Sequence, residues 1–236
     1  METTPRWIEA QETEVSFWNG VVQWDHTVLE ILAANSAKAA LLSRALSVTP
    51  VTALEVGVGP FGLGIIGFLP QIPKRFGLDP LPPVPMTSAD QEHAQLLRFM
   101  SERRAAISYV VACGEHIPFR SESMDLVICC NVIDHAFAPE TILGEIHRVL
   151  KPDGVFFFDV HTFSALGLVK WHLWTKHIHK DESLVISHPY RMFERDVRQK
   201  LHSCGFREKT LYGHTLVSSV AGHARASTFL ATKRSS

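Results

Sequence analysis

The run Leu54-Glu55-Val56-Gly57-Val58-Gly59-Pro60-Phe61-Gly62 satisfies the G-x-G-x-x-G spacing directly after an apolar stretch that reads as a strand. A glycine turn of this kind lets backbone approach a ligand closely. Two ligands compete for it: a dinucleotide pyrophosphate, or another adenosine-bearing molecule. Pyrophosphate is held by N–H groups at a helix N-terminus, where the charge of Glu55 would repel it and Pro60 removes a donor. Both features cost little for a ligand that has no phosphate and presents a cationic end. Asp79, 24 residues after Glu55 at the end of a second strand, suits either ligand, since a carboxylate there accepts from both ribose hydroxyls.

The elements that must position these residues alternate. Short apolar runs at 51–56, 75–78, 109–112, 126–130 and 155–160 read as strands, separated by helical stretches at 61–69, 91–104 and 139–150. Pro139 opens the last of these, which places Ile142, Leu143, Ile146, Val149 and Leu150 on one face and closes at Lys151-Pro152-Asp153-Gly154. Strand–helix alternation predicts an α/β fold, a mostly parallel sheet with helices on both faces. Upstream, Thr4-Pro5 reads as the start of a helix through Trp18, and residues 27–46 as a second helix. Downstream, residues 191–204 read as a helix, with 209–218 and 227–232 as a closing antiparallel pair. The expected organisation is one domain over 1–236: a helical N-terminal extension (1–47), a core (48–160), an insertion (161–190) and a closing unit (191–236).

Five segments then fall in a familiar order. They are Leu54-Glu55-Val56-Gly57-Val58-Gly59; Gly77-Leu78-Asp79; Ala112-Cys113-Gly114-Glu115-His116-Ile117-Pro118-Phe119; Met124 to His135; and Glu145 to Gly154. In this order and at these intervals they resemble the successive motifs of class I S-adenosylmethionine-dependent methyltransferases of the small-molecule type. The resemblance covers about residues 51–160. It implies a Rossmann-like, seven-stranded sheet, with S-adenosylmethionine as cofactor and S-adenosylhomocysteine as product. It also implies that Glu55, Gly57 and Gly59 shape the pocket for the methionine part, that Asp79 binds the ribose, and that Cys113, Gly114 and Glu115 border the adenine. Asn131 would offer its backbone near the methionine amino group. Two positions depart from the family. Cys113 stands where Asp is common, and Phe61 occupies the place of the third glycine, with Gly62 next.

The methyl acceptor implied is a small molecule, methylated on oxygen or, secondarily, nitrogen. His135 and His161 follow the fourth and fifth strands, on the side where ligands bind in open α/β sheets, and either could take a proton from a hydroxyl. The competing reading for each is loop packing. The insertion combines Trp171 and Trp174 with Lys170 and Lys176, a composition shared by an interfacial membrane helix and by a lid. The lid is preferred because insertions after the fifth strand lie over the acceptor pocket in the family resembled. His188 and Tyr190 at its end are candidate substrate contacts. An NAD-dependent oxidoreductase is disfavoured by Glu55, Pro60 and the later motifs; a non-catalytic S-adenosylmethionine-binding protein is the other alternative.

Composition narrows the partners. Lys+Arg 23 against Asp+Glu 24 leaves a formal charge of −1 over 236 residues, so no broad basic field is available to hold nucleic acid. Cysteines 113, 129, 130 and 204 form neither C-x-x-C pairs nor a zinc spacing, which fits a reduced compartment. His177 and His179 are two apart, an awkward interval for shared ligation, and no metal is expected. The 18 uncharged residues from Val56 to Pro73 hold five glycines and three prolines, so they read as a loop and short helix and not as a membrane span. The first thirty residues carry four glutamates before Phe17 and lack the order of a signal peptide. The expectation is a cytoplasmic protein with a small-molecule partner and no transmembrane segment.

Overall fold

A computed structural model of the chain describes residues 8, 12–16, 25–83, 94–177, 192–213 and 225–233. Its strands are β1 (Thr52–Val56), β2 (Lys74–Asp79), β3 (Ser108–Val111), β4 (Met124–Cys130), β5 (Leu150–Phe163), β6 (Met192–Phe193), β7 (Phe206–Tyr212) and β8 (Arg225–Lys233). The helices are α1 (Asp25–Ala45), α2 (Ala94–Arg104), α3 (Pro139–Val149), α4 (Ala165–His177) and α5 (Glu194–Ser203), with one 3-10 turn at Ile65–Phe68.

The sheet runs in the order β3-β2-β1-β4-β5-β8-β7, and β6 pairs with the end of β5. β1 to β5 are parallel, while β8 is antiparallel to both β5 and β7. The central strands are apolar on both faces, as interior parallel strands must be. Leu54, Val127, Cys129, Phe156 and Phe158 pack under α3 and α5, and Ala53, Leu126, Ile128 and Phe157 pack under α1 and the 3-10 turn. The chain leaves β1 toward β2 and β3, then returns to place β4 on β1's other side. Strand order therefore reverses between β1 and β4, and a crevice opens above their carboxyl ends. Register sets its floor level: Val56 pairs with Leu78 on one side and Cys129 on the other, so Gly57, Asp79 and Asn131 all emerge at the same edge.

All seven expected strands are present, and the two-residue β6 makes an eighth. The expected helix over 61–69 is reduced to the single turn at Ile65–Phe68, because Gly62 takes a left-handed φ of 60° and the N–H groups of Ile65 and Ile66 donate to a side chain instead of continuing a helix. β5 starts at Leu150, earlier than its Pro-Asp-Gly run suggests, since Leu150 already pairs with Met124 before the register shifts. β7 begins at Phe206 and ends at Tyr212, three residues ahead of its expected start; 214–218 lie outside the described residues. Of the first helix, residues 12–16 are helical, and Trp7, Gln11 and Trp18 lie outside the described residues. Among the described residues no helix is long and apolar enough to cross a membrane.

Candidate active site

The glycine turn is pinned from below and from the side. Gly57 and Val58 donate to the carbonyl of Leu78 at 2.7 and 3.2 Å, with Gly57 and Gly59 at φ of 75° and 74°. Those angles suit glycine, and space demands it at Gly57, where a Cβ would lie 2.1 Å from Val132 Cγ2. The N–H of Gly59 reaches across to Asp79 Oδ2 at 2.9 Å, and that of Leu81 to Oδ1 at 3.0 Å. One carboxylate thus fixes the turn against the end of β2, while each oxygen retains a second lone pair. Asp79 is 7% exposed, and burial pushes its pKa up to about 6; the charge of Glu14 adds to this, and the two N–H bonds oppose it.

Glu55, next to last in β1, is 3% exposed and turns its carboxylate onto the 3-10 turn, accepting from Ile65 N at 3.0 Å and Ile66 N at 2.8 Å. Burial raises its pKa to about 7, against the pull of those donors and of Lys38. Gly64 makes room for it: a Cβ there would sit 2.3 Å from the carboxylate. The displaced glycine of the loop also has a role, since Gly62 donates to Gly59 O at 2.9 Å while packing on the Tyr109 ring.

These groups border a cavity of about 360 Å³, within the range of small-molecule sites. Its wall includes Glu55, Gly57, Gly59, Asp79, Cys113, Gly114, Glu115, Asn131 and His135, so eight of eight residues expected to bind cofactor and one expected base come together. Gly114 is squeezed between Ile142 and Val56, each 3.0 Å from where a Cβ would stand. The carboxylate of Glu115 accepts from Phe137 N and Ala138 N at 2.9 and 3.1 Å, organising the start of α3. Burial raises the Cys113 pKa, so this position offers a neutral thiol. Asn131 has a left-handed φ of 55°, which aims its side chain at His161, Oδ1 to Nδ1 2.9 Å. His161 is exposed and stands outside the cavity wall; His188 and Tyr190 lie outside the described residues.

Three residues outside the motifs complete the wall. Glu14 places Oε1 3.2 Å from His135 Nδ1. Lys38 on α1 places Nζ 2.7 Å from Asp159 Oδ1. Asn35, one turn before it, holds the loop by donating to Leu63 O at 3.1 Å. In sequence the available signal was periodicity: Val28, Leu32, Asn35, Lys38 and Leu42 recur at three- and four-residue steps, so the two polar residues stand on α1's buried stripe. Above them Val28, Leu32, Leu63 and Met100 form an aliphatic cluster.

Residues 54–158 match the family described as "Methyltransferase domain". This segment, a little under half of the chain, is similar to a methyltransferase domain. The domain accounts for the strand order and for the placement of the glycine turn, Asp79 and Asn131 at one edge. Over 122 residues the chain is 34% identical to thiol S-methyltransferase TMT1B of Rattus norvegicus, covering 50% of this chain and 45% of that one. The chain therefore matches about half the length of that relative. Among solved structures, the domain shares its fold with 1,6-didemethyltoxoflavin-N1-methyltransferase of Burkholderia thailandensis, at a TM-score of 0.60, 17% identity and coverage of 100% and 92%. It also shares it with a SAM-dependent methyltransferase of Thermotoga maritima, at a TM-score of 0.58, 18% identity and coverage of 94% and 99%.

Proposed function

We propose that this protein transfers the methyl group of S-adenosylmethionine to the sulfur of a small, apolar thiol. The cavity carries this reading: a methyltransferase-domain glycine turn, a ribose-level carboxylate and a carboxylate at the end of β1 border one aliphatic space. The carboxylate acceptors of the wall suit a cofactor with hydroxyls and an ammonium but no phosphate. The sequence expectation of an oxygen acceptor, with nitrogen second, gives way to sulfur because the curated relatives are thiol S-methyltransferases.

S-adenosylmethionine supplies a methyl carbon already bound to a good leaving group. The acceptor sulfur forms its bond to that carbon as the sulfonium C–S bond breaks, and the thiol proton goes to a base. What the chain adds is alignment and exclusion of water, effects that reach several kcal/mol. Val28, Leu32, Leu63 and Met100 close one side of the space. A thiol with a pKa of about 8.5 needs only a weak base at neutral pH. His135, on the cavity wall with Glu14 Oε1 3.2 Å from its Nδ1, is the first candidate. His161 is the second: donation from Nδ1 to Asn131 Oδ1 leaves Nε2 as the acceptor. The lid reading of the insertion rests on its place in the chain, after β5; its described part is α4, and His188 and Tyr190 lie outside the described residues.

The test is formation of S-adenosylhomocysteine with an alkyl thiol, a catechol and a primary amine offered separately. Turnover with the thiol alone is expected. Preference for the catechol or amine overturns the sulfur assignment, and binding of S-adenosylhomocysteine without turnover on any of them leaves a binding protein. Saturable binding of NAD in place of S-adenosylhomocysteine would favour the oxidoreductase.

Asp79→Asn provides a second check. Ribose hydroxyls donate best to an ionised acceptor, and Asp79 ionises only above about pH 6. Wild-type affinity for S-adenosylhomocysteine should therefore weaken as pH falls through about 6. The variant should bind about tenfold or more weakly at pH 8, the scale of a hydrogen bond to a charged group, and should lack that step.

A further inference from the structure

The cavity wall carries four carboxylates, Glu14, Glu55, Asp79 and Glu115, and among the described residues a single lysine or arginine, Lys38. Lys38 belongs to α1, outside the family's matched segment of 54–158. Its partner Asp159, 1% exposed on β5, also accepts from Thr228 Oγ1 at 2.9 Å, so the carboxylate is fixed from two sides and the ammonium is held in place at the wall. An ammonium has three donors, and Asp159 takes one. Burial works against the charged form of Lys38, but the neighbouring Cys130 and Asp159 outweigh it and hold the pKa above the ordinary lysine value.

The position of this cation along the cavity follows from its neighbours. Lys38 is held on Asp159 of β5, which pairs with Cys130 of β4, whereas Asp79 ends β2 on the far side of β1, the strand that carries Glu55. Lys38 therefore stands at the Glu55 end of the cavity, away from the ribose-level carboxylate. A ligand whose far end carries both an ammonium and a carboxylate meets carboxylates that suit the first and would repel the second. Lys38 is the group that reverses that repulsion.

We propose that Lys38 binds the carboxylate of the cofactor's amino-acid end and sets the cavity's preference for ligands that retain it. This rests on the cofactor reading above and assigns the residue that reading leaves unnamed. Asp159, which does not reach the ligand in this arrangement, is a positioning residue that anchors the ammonium.

Calorimetric binding of two probes tests the assignment: S-adenosylhomocysteine, and S-adenosyl-3-thiopropylamine, which keeps the adenosine, thioether and amine but lacks the carboxylate. Wild type should prefer the first by about 10- to 100-fold, the scale of a charge-assisted hydrogen bond. Lys38→Met should reduce that preference to near unity while leaving affinity for the thiopropylamine within about threefold of wild type. Lys38→Arg should keep most of the preference. Because Lys38→Met leaves Asp159 buried without its cation, the Lys38→Met/Asp159→Asn double variant removes both charges together. It should fold with a melting temperature close to wild type and still lack the preference. If the double variant regains the preference, or if Lys38→Met weakens both probes alike, Lys38 is a structural ion pair and the proposal is wrong. Equal affinity of wild type for the two probes also overturns it. Failure of wild type to bind either probe would instead defeat the cofactor reading itself.

Discussion

Gly57→Ala is expected to lower the melting temperature by about 5–15 °C and to weaken S-adenosylhomocysteine binding by roughly 100-fold or more. Two costs add. An alanine at φ 75° pays about 1–2 kcal/mol for the left-handed backbone, and its Cβ, 2.1 Å from Val132 Cγ2, pays an overpacking cost of about 1–3 kcal/mol. For a chain of this length each kcal/mol moves the midpoint by about 2–4 °C. Binding suffers beyond stability because relief of the clash must move the turn or Val132, and a displacement of about 1 Å at an aligned site costs roughly 100-fold. Val132→Ala in the same background separates the costs: it removes the offending methyls and should recover most of the lost stability, leaving the backbone term. No recovery would mean that the left-handed backbone alone dictates glycine at this position. Thermal melts and calorimetry on wild type and the two variants decide it.

The parts of this site that could be read in advance are those fixed within a few residues of a strand end. Glu55 and Asp79 stand at the carboxyl ends of β1 and β2 and Gly57 follows β1 directly, so once the strands are placed, parallel register brings them to one edge. Within 61–69, read as a helix or part of one, the extent of the 3-10 turn was not legible for a related reason. Its apolar residues Leu63, Ile65, Ile66 and Leu69 have helical spacing, but the decisive interaction is a carboxylate ten residues back that consumes the N–H groups of Ile65 and Ile66. That bond depends on Glu55 being buried, which no local pattern announces.

Lys38, Asn35 and Glu14 were unreadable for a different reason. Their partners are distant in sequence, with Lys38 121 residues from Asp159, and the side chains become functional only when α1 and the 12–16 segment pack over the crevice. Asp159 itself reads as a structural residue in a run of phenylalanines. It is structural in one sense, accepting from Thr228 on β8, yet the same carboxylate carries the cavity's cation. A polar residue on the buried stripe of an otherwise apolar helix is the general clue. It becomes specific only when tertiary packing supplies the partner.

Glu55 gives the second large effect, and its stability and binding should respond to pH in opposite directions. Glu55→Ala strands the N–H groups of Ile65 and Ile66 in a buried site at about 1–3 kcal/mol each, so a melting temperature lower by about 5–20 °C is expected. Glu55→Gln keeps an acceptor oxygen and should lose about half as much. For the wild type, burial lifts the folded pKa from the ordinary 4.5 to about 7. A carboxyl whose folded pKa lies above its unfolded one contributes stability that is fully present below about pH 4.5 and is lost as pH rises through about 7. The melting-temperature advantage of wild type over Glu55→Gln should therefore be largest near pH 5 and shrink toward pH 8. Affinity for a ligand with an ammonium end should do the reverse, tightening as Glu55 ionises through about pH 7, whereas Glu55→Gln should lack that rise. A stability advantage that grows with pH would mean that the bonds from Ile65 and Ile66 outweigh burial and that Glu55 is ionised well below neutrality. If both hold as expected, the carboxylate that weakens the fold at neutral pH is the one that makes the cavity receptive to a cationic ligand.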